Sequence, residues 1–220
     1  MKKRRGATPI LKPSLFWLYS FAVKGYTRLN PDFSRTTMIK NKLIKMSTHL
    51  KPVVSSKDHI QGNVKASLEL VEYGDYQCGH CGHAYPIIKA IQHALGDNLK
   101  FVFRNFPLIE PHPDAFKAAV ASEAAALQNK FWEMHDIIYE NQENLNAKAL
   151  VLYSEKIGLD IARFQVDIQK DIVIAKVDDD FESGVRSGVN GTPSFFINGN
   201  KYDGDWEESA LLQYLKTRIR

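Results

Sequence analysis

The chain has 220 residues, 44% apolar and 25% charged, with a formal net charge of +4 and two cysteines. That length buries a core without staples, and the ordinary balance excludes a collagen-like, wholly disordered, disulfide-dense or polytopic membrane chain. The charge is uneven: residues 1–51 hold twelve Lys/Arg against one acid, Asp32, so residues 52–220 are net acidic, which argues against a nucleic-acid groove.

Residues 1–51 read as a basic N-terminal leader or tail outside the core. Lys2, Lys3, Arg4 and Arg5 suit the n-region of a signal peptide, and an apolar run follows at residues 15–23, broken only by Ser20. Its nine residues lie near the lower limit of the roughly 7–15 of a signal-peptide core and far below the ~20 of a spanning helix. Lys12 and Pro13 interrupt its N-terminal side. No integral membrane span is expected. The weak run slightly favours the cytoplasm, with export to a periplasm-like compartment as the alternative. The acid-poor composition also suits a transit peptide. Residues 52–56 (PVVSS) read as a linker, so the folded domain is expected over 52–220.

Residues 64–73 (VKASLELVEY) are rich in β-formers and predict a largely buried strand, ended by Gly74 and Asp75. Residues 78–95 turn helical, with Ile87, Ile88, Ile91 and Leu95 on one face and a kink expected at Pro86. Residues 99–108 (LKFVFRNFPL) predict a second strand. Strand, helix and strand joined by short links predict a right-handed βαβ unit with parallel strands. From about 112 to 188 the pattern is helical throughout, beginning with the alanine-rich residues 115–127. Further helices are expected at 149–157, 161–168 and 172–185. Phe131, Trp132 and Met134 read as insertion core, His112 and His135 as residues without an evident partner, and Asp178, Asp179 and Asp180 as a solvated helix face. Strand pattern returns at 194–197, Asn198-Gly199 predicts a type I′ turn, and 200–203 return. Residues 207–218 predict a last helix with Leu211, Leu212 and Leu215 inward, and Trp206 packing it onto the sheet.

The chemistry lies in Cys78-Gly79-His80-Cys81, at the junction of the first strand and its helix. A CxxC pair opening a helix in a βαβ unit is a redox signal. Unpaired N–H groups and the helix dipole place positive charge at the N-terminus, so Cys78 is expected to have a depressed pKa. Cys81, one turn on, can attack a mixed disulfide at Cys78. A protonated His80 would favour the thiolate further. The alternative is half of a zinc site with His83 or His93, but zinc needs four ligands and no second CxxC exists.

The segment VEYGDYQCGHCGHAYP resembles the active-site strand and helix of the thioredoxin superfamily, and VNGTPSFFING resembles its cis-proline loop. FRNFPL, His112-Pro113 and an alanine-rich helix ending in KFWEMHD are similar to the DsbA-like branch in particular. The likeness covers about 58–220. It implies an α/β thioredoxin-like fold, with a helical insertion between the βαβ unit and the C-terminal hairpin and helix. It also implies a thiol–disulfide oxidoreductase. By that resemblance Cys78 is the attacking cysteine, Cys81 the resolving one, Pro193 the cis-proline and Thr192 the residue whose backbone pairs with a substrate peptide. By themselves, Gly191, Thr192 and Pro193 are equally a turn before a strand. Glu72 falls where the family keeps a buried carboxylate that can take the Cys81 proton; strict alternation would instead turn it to solvent, opposite Val71 and Tyr73. Gly79 departs from DsbA, which more usually carries Pro-His, and matches the Gly-His of protein disulfide isomerase domains. Gly79 and His80 are therefore the expected tuners of redox poise. No cofactor is implied beyond the disulfide itself. The partners implied are protein or peptide thiols and disulfides, and an unidentified redox partner. A thioredoxin-like reductase and a non-enzymatic, zinc-stabilised binding domain are the rival readings.

Overall fold

A computed structural model describes residues 48–219. The apolar run at 15–23 and its basic flank lie outside the described residues. Among the described residues five strands form one sheet: β1 (His59–Gly62), β2 (Leu68–Gly74), β3 (Leu99–Asn105), β4 (Ser194–Ile197) and β5 (Asn200–Tyr202), in the order β1-β3-β2-β4-β5. Strands β2 and β3 are parallel, with Glu72 level with Phe103. Helix α1 (Gly79–Leu95) crosses between them, as the βαβ reading requires. Its buried residues Cys81, Ala84, Ile87, Ile88, Ile91 and Leu95 follow helical spacing. Pro86 lies inside it.

Between β3 and β4 stand five helices: α2 (Ala115–Ala126), α3 (Phe131–Tyr139), α4 (Ala147–Lys156), α5 (Ile161–Asp167) and α6 (Asp171–Ser187). Alanine-rich α2 is buried on nearly every side; its small side chains let neighbouring helices approach closely. Asn146 caps α4 by accepting from the N–H groups of Lys148 and Ala149, and Asp160 caps α5. The hairpin from β4 to β5 turns on Asn198 (φ 47°) and Gly199 (φ 77°), the left-handed pair of a type I′ turn. Helix α7 (Glu208–Lys216) closes the fold through Leu211 and Leu215.

The sheet has apolar side chains on both faces. On one, Leu68, Leu70, Phe101, Phe103 and Phe195 pack with α1, α7 and the insertion. On the other, Val71, Tyr73, Val102 and Phe196 pack with Phe106, Val189 and Phe181 of α6.

The structure corrects three expectations. Residues 52–56 are not a linker. Residues 48–58 form a strap across the second face: Leu50 is buried against Val71 and Phe196, and its N–H donates to Gly199 O at 2.9 Å. Arg104, 2% exposed, donates to Asp58 Oδ1 (2.7 Å) and to the carbonyl of Pro52 (3.0 Å). A strap has no periodic pattern, because it is held by one buried leucine, backbone hydrogen bonds and one distant arginine. Second, β1 is an edge strand that the periodicity missed. Its four residues pair antiparallel with β3 and stay partly exposed, too short for alternation to register. Third, Asp180 is not on a solvated face: it is buried, with Lys176 Nζ at 2.6 Å and the Asn105 N–H at 3.2 Å.

Candidate active site

Cys78 is the N-cap of α1, reached from β2 by the loop Asp75-Tyr76-Gln77. Cys78 and Cys81 are both present as free thiols, 6% and 0% exposed. The N–H groups of His80 and Cys81 approach the Cys78 sulfur without closing a full cap hydrogen bond. The Cys78 thiol is drawn down to about 5, first by the hydrogen bond it receives from the Cys81 thiol. The Thr192 side chain and the His80 and Cys81 amides add to this against the opposing cost of burial. Cys81 is pushed well above its ordinary value by burial, by donating to Cys78, and by the charge of Glu72. One pair of identical side chains therefore holds a thiolate at the start of the helix and a protonated thiol behind it.

Thr192 and Pro193 meet the cysteines from the other side of the chain. The Thr192-Pro193 peptide is cis, and Thr192 O lies 3.4 Å from Cys78 Sγ, accepting from the thiol form. Gly79 and His80 are exposed beside Cys78. The His80 backbone N–H is among the groups that lower Cys78.

Glu72 is 3% exposed. Alternation misleads here because β2 is the central strand, covered on both faces, so neither side meets solvent. Glu72 lies level with Phe103 on β3 and Phe195 on β4. Burial among these rings, with a smaller contribution from the Cys78 thiolate, raises its carboxyl to about 8.

Sequence reading missed two further groups. Gln142, from the insertion, donates through Nε2 to the carbonyls of Tyr76 (2.8 Å) and Cys78 (3.1 Å). Glycine at residue 82 leaves room for this amide, since a Cβ there would push Gln142 Oε1 aside. No local signal marks a glutamine more than sixty residues from the cysteines. Asp75 was legible only as the end of a strand, yet its N–H donates to Cys81 Sγ at 3.4 Å. His112 and His135 also have partners, Asp75 and Asp136. The zinc alternative finds no support in side-chain placement: His83 points to Glu207 at 3.1 Å. Among the described residues no group of three or more His, Cys, Asp or Glu could hold a metal.

The two shifts oppose each other in the pH dependence of stability. Glu72 rises from 4.5 to about 8. Between those values the folded chain keeps a proton that the unfolded chain releases, so stability falls as pH rises. Cys78 falls from 9.0 to about 5. There the folded dithiol has released a proton that the unfolded chain keeps, so stability grows with pH. A disulfide removes the thiol and leaves the carboxyl. The urea midpoint of the disulfide form is expected to fall between pH 5 and pH 8 by the equivalent of a few kcal/mol, on the order of one pKa unit per 1.4 kcal/mol. The dithiol form should stay nearly level. Glu72→Gln should flatten the disulfide form's slope. Equal slopes in both redox forms would contradict a stabilised Cys78 thiolate.

Residues 54–217 match the family model described as thioredoxin. The chain belongs to the thioredoxin family. Its fold is that of the DsbA-like branch, with the helical insertion described above. A thioredoxin-like oxidoreductase from Silicibacter pomeroyi is 26% identical, with a TM-score of 0.67 over 74% of this chain and 92% of that one. BdbD from Bacillus subtilis shares the fold at 20% identity, with a TM-score of 0.68 over 79% of this chain and 97% of that one.

Curated relatives of this thioredoxin-family chain carry the name Na(+)/H(+) antiporter NhaA. One from Mycolicibacterium vanbaalenii is 40% identical over 173 residues, 78% of this chain and 28% of that protein. One from Herminiimonas arsenicoxydans is 37% identical over 169 residues, 77% of this chain and 27% of that protein. The chain thus spans little more than a quarter of their length, and the antiporter name belongs to proteins made mostly of sequence it does not match. Among the described residues no helix is long and apolar enough to cross a membrane.

Proposed function

We propose that the protein is a thiol–disulfide oxidoreductase acting on protein or peptide substrates through Cys78 and Cys81. The observation that carries this is the asymmetry of the pair: Cys78 is drawn down to about 5 while Cys81 is pushed up behind it. In the oxidising direction a substrate thiolate attacks Cys78 Sγ of the disulfide. The bond between Cys78 and Cys81 breaks, a mixed disulfide forms at Cys78, and Cys81 leaves as a thiolate. Cys81 is a poor leaving group, and a proton from Glu72 offsets this. A second substrate thiolate attacks the substrate sulfur, and Cys78 leaves readily because its pKa is low. The substrate loses two electrons and two protons, and the cysteine pair gains the two electrons. A redox partner then takes those electrons from the dithiol. Run backwards, the same steps reduce or isomerise a substrate disulfide. Thr192, beside Cys78, offers backbone for pairing with an extended substrate.

A stabilised thiolate stabilises the dithiol form, which raises the reduction potential. Equilibration in glutathione buffers is expected to give roughly −120 to −220 mV, the span of oxidising and isomerising proteins, above thioredoxin's roughly −270 mV. His80→Pro removes an N–H near Cys78 and is expected to lower the potential. A wild-type value as low as thioredoxin's, with no drop on His80→Pro, would favour a reductase instead.

A further inference from the structure

The turn into α1 is held from behind by a contact between two loops. Asp75 lies where its backbone reaches both cysteines. Its N–H donates to Cys81 Sγ at 3.4 Å, and its carbonyl accepts the Cys78 N–H at 3.1 Å. Its carboxylate has no exposed surface. Oδ1 accepts the Gln77 N–H (2.8 Å), and Oδ2 accepts the Leu108 N–H (2.8 Å) and faces His112 Nδ1 at 2.8 Å. An ionised carboxylate only accepts, so Nδ1 carries the hydrogen in this contact. The Asp114 N–H donates to Gln77 Oε1 at 2.7 Å, a second tie between the same loops.

We propose that His112 is a positioning residue for the thiol chemistry: by holding the Asp75 side chain, it fixes the Asp75 backbone N–H and carbonyl, which hydrogen-bond Cys81 and Cys78. This rests on the redox reading given above. The Cys78 thiolate is favoured by donors that must be aligned, namely the Cys81 thiol and the amides of His80 and Cys81. Their alignment depends on where the chain turns into the helix, and the bond from Cys78 N–H to Asp75 O sets that turn. Without His112 the buried Oδ2 loses a donor in a site that water reaches poorly. The carboxylate must then shift, and the turn shifts with it. Both cysteines feel the change although neither touches His112. The imidazole itself is 22% exposed, so its removal opens little core.

The test compares His112→Ala and His112→Asn with wild type in the full chain. Thiolate absorbance of Cys78 is followed against pH, and the dithiol is equilibrated with reduced and oxidised glutathione. His112→Ala is expected to raise the titration midpoint by about one unit, and to move the glutathione equilibrium about tenfold toward the disulfide. His112→Asn carries an N–H donor of similar reach and should restore both. Should the alanine variant fold poorly, His112→Ser is read in its place, because its hydroxyl is too short to reach Asp75. A midpoint and an equilibrium within twofold of wild type, even with a lower melting temperature, would make His112 merely structural and overturn the proposal. Failure of asparagine to rescue would do the same. Wild type separates the two levels: an ordinary Cys78 titration there defeats the redox reading itself, whereas a low wild-type midpoint unmoved by the variants defeats only the role of His112.

Discussion

Cys78→Ser is expected to abolish thiol–disulfide exchange, by roughly a thousandfold or more, without loss of fold. A serine hydroxyl is not an effective nucleophile toward disulfides at neutral pH, whereas the Cys78 thiol is ionised there, at about 5. Serine also suits the position structurally. Cys78 is the N-cap of α1 with extended backbone (φ −73°, ψ 121°), and serine is among the preferred N-cap residues. Below about pH 5 the melting temperature should therefore hold; at neutral pH it should fall below that of the dithiol, because the stabilisation supplied by the Cys78 thiolate is gone. Cys81→Ser is expected to behave in the opposite way. The attacking thiolate survives, the resolving thiol is gone, and mixed disulfides accumulate on Cys78. Non-reducing electrophoresis and peptide mapping distinguish the two. Substrate adducts found on Cys81 in the Cys78→Ser protein would reverse the roles.

The largest loss of stability is expected at Arg104, far from the cysteines in function. Its Nε and Nη2 donate to the two Asp58 oxygens at 2.7 and 3.2 Å, and Nη1 donates to Tyr73 Oη at 2.9 Å. Burial works against the Asp58 carboxylate, but the Arg104 hydrogen bonds and charge hold its pKa below the ordinary value. Arg104→Met leaves that carboxylate without its cation and releases the strap, at a cost of about 3–5 kcal/mol. Urea denaturation should show the loss, and amide exchange should rise across residues 50–58 first. The double variant Arg104→Met, Asp58→Leu should recover much of the loss, because the pair would be replaced by apolar groups. A double variant as unstable as the single would place the cost in the strap's carbonyl contacts. The cysteine chemistry should persist in whatever fraction remains folded.

The sequence by itself determined every element whose cause is local. Helix α1 declares its buried stripe through Ile87, Ile88, Ile91 and Leu95, and the structure buries those residues. Asn198-Gly199 announces its turn because few residues adopt positive φ without strain, and the β4–β5 hairpin turns there. The cysteine pair was legible for the same reason: spacing of two between thiols at a helix start is a local pattern. What only the tertiary structure decided is what depends on a distant partner. Glu72 is buried because β3 and β4 flank β2 and bring Phe103 and Phe195 beside it, which alternation within one strand cannot express. Residues 48–58 become a strap because Arg104 receives them. Asp180 goes inside because Lys176 and Asn105 meet it there. Gln142 and His112 reach the cysteine loop from the insertion and from the loop after β3, and no local pattern names the partner of either. Backbone preference and hydrophobic period act over a few residues, so they can be read in order along the chain. Desolvation and hydrogen bonding of a buried polar group act through space, so its charge state and role emerge only when the distant segments have closed around it.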